Sequence, residues 1–181
     1  MPKTILAVLL DSGDTLVDEA TEVRSGADVV LQAGLIPGAV ELLHELKRRG
    51  YRLGLVADGL AESFRNVLGR QHDLSGLFEA QAISEEVGES KPHPAIYQAA
   101  LASLGIPLEQ YGRVVMVGNH LARDIRGANA LGLVSVWLDW APRRPKVAAD
   151  PLEQPQYTIH QPLELLDLLE RLEMQIREVP L

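Results

Sequence analysis

Short apolar runs alternate with longer amphipathic stretches along this chain, and each run stops at a polar turn. Residues 5–10 are continuously apolar and end at Asp11-Ser12-Gly13-Asp14, the pattern of a parallel strand buried on both faces. The same pattern recurs at residues 52–57 before Asp58-Gly59, at 80–84, at 114–117 before Gly118-Asn119, and at 134–138 before Asp139. Between these runs, apolar residues spaced near 3.6 predict helices over 39–49, 61–69, 94–104 and 122–131. Gly50, Gly105 and Gly132 stand where three of them should stop. Residues 157–159 read as an added edge strand and 163–176 as a final helix packed on the sheet.

Strands that alternate with helices imply a doubly wound, three-layer α/β/α arrangement around a parallel sheet. Parallel strands need crossovers, and right-handed crossovers place helices on both faces. Ligands then belong at the carboxyl edge, where loops bring carboxylates, amides and helix N-termini into one small volume. Two stretches fall outside the pattern. Residues 17–36 form a short insert whose weakly apolar part, 27–35, predicts either a helical turn or a small flap. Residues 141–156 carry Pro142, Pro145, Pro151 and Pro155 and read as a long surface loop. Trp137 and Trp140 are expected to pack the strand end against that loop.

At 181 residues, 46% of them hydrophobic and 23% charged, the whole chain is expected to form one domain, 1–181, with a packed core. A net charge of −8 argues against nucleic acid and anionic membranes as partners, because counterion release needs a basic face. With no cysteine, thiolate chemistry and Cys-based zinc sites are excluded, and any metal would be held by oxygen or histidine. The apolar run near the start is too short to span a membrane, so a cytoplasmic protein is expected.

Four strand-end segments, taken in order, resemble the signature of the haloacid dehalogenase-like hydrolase superfamily. Asp11-Ser12-Gly13-Asp14-Thr15-Leu16 is similar to its D-x-D-x-T-L segment. Residues 53–59, ending Val56-Ala57-Asp58-Gly59, resemble the strand that closes on Ser or Thr followed by Asn. Lys91-Pro92-His93-Pro94 is the nearest match, and Gly118-Asn119 with Asp124 resembles the G-D-x(4)-D segment. Each alone is weak, but four in register across residues 5–138 are specific. The resemblance implies a Rossmann-like fold and a phosphatase-type hydrolase in which Asp11 attacks phosphorus. A carboxylate repels a phosphoryl group, so a magnesium ion is implied, placed by the resemblance among Asp11, Gly13, Asn119 and Asp124. Lys91 is implied as the electrostatic clamp, and Thr15, Ala57, Asp58 and Lys91 as substrate-binding positions.

Several positions depart from the family. Gly13 stands where the second acid, the general acid and base, is usual. General acid–base catalysis contributes about 10²–10⁴-fold. Ala57 replaces a hydroxyl donor, and one preorganised donor is worth about 10²–10³-fold. Asp58 replaces Asn, and Asn119 replaces a metal-directed Asp. Reduced or atypical activity is therefore expected. Dehalogenases also lack the second acid, but the spacing of Asn119 and Asp124 is phosphatase-like.

Plainer readings stand beside these. Asp14 reads as a solvated turn residue. Thr15 either fixes the nucleophile loop or is an ordinary turn hydroxyl. Asp58 and Asn119 are each as well suited to capping a helix, and Asp124 could pair with Arg123 or Arg126. His93 and His120 read as surface groups. Three functions remain: a magnesium-dependent hydrolase of small phosphate esters, a degenerate relative that only binds, and a receiver-like phosphoacceptor. The last is disfavoured because Asp11 follows the first strand rather than the third. The short insert leaves no room for a large cap, so a partner protein, a second copy or a large substrate is expected to cover an open site.

Overall fold

The computed structural model describes residues 3–178. Its strands are β1 (Ala7–Leu10), β2 (Val23–Arg24), β3 (Val30–Gln32), β4 (Leu53–Ala57), β5 (Ala80–Ile83), β6 (Val114–Gly118), β7 (Val134–Leu138) and β8 (Tyr157–Ile159). Six of them form one parallel sheet in the order β5-β4-β1-β6-β7-β8, while β2 and β3 pair separately as an antiparallel hairpin. The helices are α1 (Ala39–Arg48), α2 (Ala61–Phe64), α3 (Ser84–Val87), α4 (Pro94–Ser103), α5 (Arg126–Leu131) and α6 (Glu164–Glu178). The doubly wound fold expected from the alternation is the one observed.

Side-chain alternation along each strand divides the core between the two faces. Val8 and Leu10 of β1 join Leu42, Leu43 and Leu46 of α1 and Leu165, Leu168 and Leu169 of α6 on one face. Ala7 and Leu9 join Ile96, Tyr97, Ala100 and Leu101 of α4 on the other. Each aliphatic side chain buried in this way contributes about 1.5–3 kcal/mol relative to exposure. Strand register then sets the site. Leu10 lies opposite both Leu55 and Val117, so β1, β4 and β6 end nearly level, and the residues just beyond them leave the sheet side by side.

Two expected helices differ from simple α-helix. The 61–69 segment becomes α2 followed by a wider π-type turn over Arg65–Gln71. The 122–131 segment begins with a π-type turn over Leu121–Ile125 before α5. An extra residue per turn re-aims side chains, which is why such turns occur at functional sites. Here the second one directs Asp124 inward, where it is buried.

The weakly apolar stretch 27–35 forms part of a flap rather than a helical turn, with β3 paired to β2. Its hydrogen bonds are local and lateral. Ser25 Oγ accepts from Val29 N at 3.2 Å. Val30 N donates to Ser63 Oγ at 3.0 Å, Asn66 Nδ2 donates to Val30 O at 3.0 Å, and Ala33 N donates to Gln71 Oε1 at 3.0 Å. The Pro-rich loop is pinned as well, through Arg126 to Asp150 and through Asn129 Nδ2, which donates to Leu152 O and Gln154 O. Trp137 is buried at the end of β7, and Trp140 packs against the core. Among the described residues, no helix is long and apolar enough to cross a membrane.

Candidate active site

A buried lysine ties the strand ends together. Lys91 lies beyond β5 and α3, and its Nζ donates to Asp11 Oδ1 at 2.5 Å, to Asp124 Oδ1 at 2.7 Å and to Val56 O at 2.9 Å. The side chains of Lys91 and Asp124 are each only 2% exposed, and that of Asp11 is 10% exposed. Burial alone would lower the lysine pKa, but Asp11 and Asp124 outweigh it, so Lys91 is raised above its usual value and stays charged. One ammonium cannot neutralise two carboxylates. Burial, reinforced by Asp11, accordingly raises the carboxyl of Asp124, although its Oδ2 also accepts from His120 N at 2.9 Å.

The second Asp11 oxygen, Oδ2, accepts from Thr15 Oγ1 at 3.1 Å and from Asn119 Nδ2 at 2.9 Å. Asn119 Nδ2 also donates to Gly13 O and to Thr15 Oγ1. The backbone carbonyl of Asn119 accepts from Trp137 Nε1 at 3.0 Å. The structure therefore turns Asn119 to the loop that follows β1 rather than over a helix end, and Thr15 is a buried hydroxyl that donates to Asp11.

Asp58 is not a helix cap either. Its Oδ1 accepts from Lys91 N at 2.9 Å, and its Oδ2 accepts from Arg123 Nη1 at 3.3 Å. The first turn of α2 takes Glu85 instead, whose Oε2 accepts from Ala61 N at 2.7 Å. Asp124 pairs with neither Arg123 nor Arg126. Ala57 is buried in the core and lines neither cavity described below. Its methyl contributes packing, so the structure does not bring it to the crevice. His93 caps α4, accepting from Ala95 N at 3.3 Å. His120 lines the crevice, with Nδ1 buried and without a partner among the described residues. Burial, then Arg123 and Arg144, lowers its pKa.

The expectation that Asp14 is solvated is overturned. Its side chain is fully buried, paired with Arg143 Nη2 and Nε and with Arg144 Nε at 2.9 Å. Two arginines from the Pro-rich loop supply the charge that makes burial of a carboxylate tolerable. Asp14 adopts φ +54°, a left-handed conformation open to Asp, and its Oδ1 also accepts from Glu19 N at 3.3 Å. Glu19 begins a single 3-10 turn, Glu19–Thr21, capped by Asp18. Its carboxylate pairs with Arg144 Nη2. Burial, opposed by Arg144 and reinforced by Asp14 and Asp11, holds that carboxyl above its usual range.

Two cavities meet here. The strand-end crevice is lined by Asp11, Glu19, Asp58 and Asp124 against Lys91, Arg123 and Arg144, so acids and cations nearly balance. Beside it, a cavity of about 150 Å³ opens under the hairpin, walled by Val17, Arg24, Val30, Leu60 and Phe64. Gly13, Glu19 and Asp58 border both. Glu19 and Arg144 escaped the sequence reading, because both sit in irregular segments far apart in the chain.

Magnesium takes oxygen ligands and keeps several waters. Among the described residues, no cluster of three or more acidic or histidine side chains forms a metal cage. The donors that are present still fit. Asn119 Oδ1 is buried without a partner among the described residues, while Nδ2 of the same amide faces Asp11 Oδ2 and Gly13 O. Turning the amide end for end would place Asn119 Oδ1 beside Asp11 Oδ2 and the Gly13 carbonyl, as three neighbouring oxygen donors. Only Asp11 among them is anionic.

The chain belongs to the haloacid dehalogenase-like hydrolases, whose family model matches residues 4–132. Among named relatives, it is 35% identical over 141 residues to a glyceraldehyde 3-phosphate phosphatase of Pyrococcus furiosus, covering 77% of this chain and 55% of that protein. The chain thus spans about half the length of the curated relatives it matches. In fold it is similar to a crystal structure of a HAD phosphatase from Thermococcus onnurineus, with TM-score 0.73, 20% identity, and coverage of 91% of this chain and 97% of that one. It is also similar to the putative HAD-hydrolase YfnB from Bacillus subtilis bound to magnesium, with TM-score 0.64 and 27% identity, over 75% of this chain and 56% of that one.

Proposed function

We propose that this protein is a magnesium-dependent phosphatase of small phosphate esters that works through an aspartyl-phosphate intermediate. The observation that carries this reading is the buried junction in which Lys91 Nζ holds Asp11 Oδ1 and Asp124 Oδ1 at once. A carboxylate fixed in this way, with its other oxygen held by Thr15, is a positioned nucleophile. Lys91 sets a fixed positive charge at the floor, and Arg123 and Arg144 border the same crevice, so cationic charge offsets the loss of the donor that Ala57 lacks. Magnesium, held by Asp11, the Gly13 carbonyl and Asn119 with Asp124 nearby, supplies positive charge that offsets repulsion between carboxylate and phosphate. The named relatives support the phosphatase and magnesium parts of this reading.

The hairpin is too small to enclose a substrate, so water exclusion falls to the substrate itself, a second copy or another protein. The test is turnover of phosphomonoesters with magnesium, comparing the native protein with Asp11→Asn. Turnover that disappears in the variant is expected, and equal rates in both remove the reading. A second reading, a protein that binds without turnover, is favoured by one feature. Asn119 Nδ2 already satisfies Asp11, Gly13 and Thr15 without an ion. In that case both proteins show only background hydrolysis.

A further inference from the structure

The phosphatase reading leaves the proton unassigned, since Gly13 has no side chain to carry it. A leaving alkoxide is a poor leaving group unless protonated, so some acid must stand at the scissile oxygen. Asp14 does not serve, because its carboxylate is fully buried among Arg143, Arg144 and the Glu19 amide.

The glycine at position 13 itself gives the answer. Its backbone is not in the left-handed region that favours glycine, so conformation does not demand the residue. Space does. A Cβ built on Gly13 would lie 2.8 Å from Glu19 Cδ and would collide outright with Glu19 Oε1. The carboxyl of Glu19 thus fills the volume that a side chain at position 13 would occupy. Glu19 also borders both cavities, the crevice that takes the phosphoryl group and the 150 Å³ cavity that offers room for the leaving group. A bond cleaved between those two volumes has its leaving oxygen at their boundary. Arg144 on Oε2 and Asp14 on the backbone amide fix the carboxyl there, leaving Oε1 as the oxygen at Gly13.

We propose that Glu19 is the general acid and base of this reaction, a carboxyl brought from the insert into the space vacated at position 13; the proposal rests on the phosphatase reading above. In the first step the Asp11 carboxylate forms a bond to phosphorus. The bond from phosphorus to the leaving oxygen breaks, and that oxygen takes both the electron pair and the proton of Glu19 to depart as an alcohol. In the second step a water oxygen attacks phosphorus and gives its proton to Glu19. The Asp11–phosphorus bond breaks, returning the Asp11 carboxylate and inorganic phosphate.

The experiment compares kcat/KM on a primary alkyl phosphate with kcat/KM on p-nitrophenyl phosphate, whose leaving oxygen departs as a stable anion. The proteins are the native form, Asp11→Asn, Glu19→Gln, Glu19→Ala and the double variant Gly13→Asp/Glu19→Ala. Asp11→Asn should be inactive on both esters. Glu19→Gln should lose about 10²–10⁴-fold on the alkyl ester and only a few-fold on the nitrophenyl ester. It should also release a burst of nitrophenol equal to the enzyme present, because the intermediate then lacks its base. The double variant should recover most of the alkyl activity that Glu19→Ala loses, which separates a relocated carboxyl from a merely structural one. Equal losses on the two esters, or no loss on either, overturn the role of Glu19 while leaving the phosphatase reading intact. Absence of Asp11-dependent turnover on both esters in the native protein overturns the two together.

Discussion

At the floor of the crevice, Lys91 and Asp124 meet Asp11 where β1, β4 and β6 end nearly level; at its rim, Asp14, Glu19, Arg143 and Arg144 meet from loops and one 3-10 turn. Sheet register places the floor groups, whereas the rim groups place one another. The floor is therefore fixed by the sheet even where single residues change, and the rim depends on contacts between distant loops. Glu19 pairs with a residue 125 positions away, and no strand or helix guides it there.

Three substitutions sharpen this contrast, from the largest expected effect to the smallest. Replacing Lys91 by Met leaves two buried carboxylates without their cation. Breaking a buried pair from one side costs about 3–5 kcal/mol, and the urea midpoint should fall accordingly. If stability is unchanged, the floor is not held by this junction. Asp14→Asn keeps a residue suited to the left-handed turn but removes the charge between the two arginines. Hydrogen bonds to charged groups contribute about 1.5–3 kcal/mol each, so a loss of about 2 kcal/mol is expected, together with weakened turnover of alkyl phosphates. A stable variant with full activity would show that the rim is not held through Asp14. The smallest change comes from Asn119→Asp, which adds an anionic oxygen facing Asp11 and the Gly13 carbonyl. Without magnesium the new carboxyl should take up a proton beside Asp11, as one of two adjoining carboxylates does, and this limits the fall in Tm. With magnesium its Tm should rise more than that of the native protein, because a tighter ligand stabilises the folded state by mass action. A thermal scan with and without the ion reads both effects.

The floor was legible in the sequence because each of its groups follows an apolar run or sits at a fixed offset from one. Asp11, Asp58 and Asn119 each stand just after a strand, and parallel pairing brings such positions together whatever lies between them. Lys91 and Asp124 followed from the family spacing. The rim was not legible. Asp14 looked solvated because nothing near it in sequence is basic, and the arginines that bury it come from a Pro-rich loop that reads as surface. Glu19 lies in an insert with no periodicity, and its importance appears only once the space above Gly13 is measured. The two π-type turns were hidden for a related reason. Apolar spacing distinguishes helix from strand, but it does not register one added residue in a turn.

The hairpin within residues 17–36 is stitched to its neighbour by the side chains of Ser63, Asn66 and Gln71, which bond to its backbone at Val30 and Ala33. It is an eave, not a door. Enzymes that close over their substrates must reopen to release product, and that motion often limits turnover. With the hairpin held in this way, hairpin opening is not expected to limit kcat, so turnover should change little with solvent viscosity, while the leaving group is selected by what fits beneath this overhang.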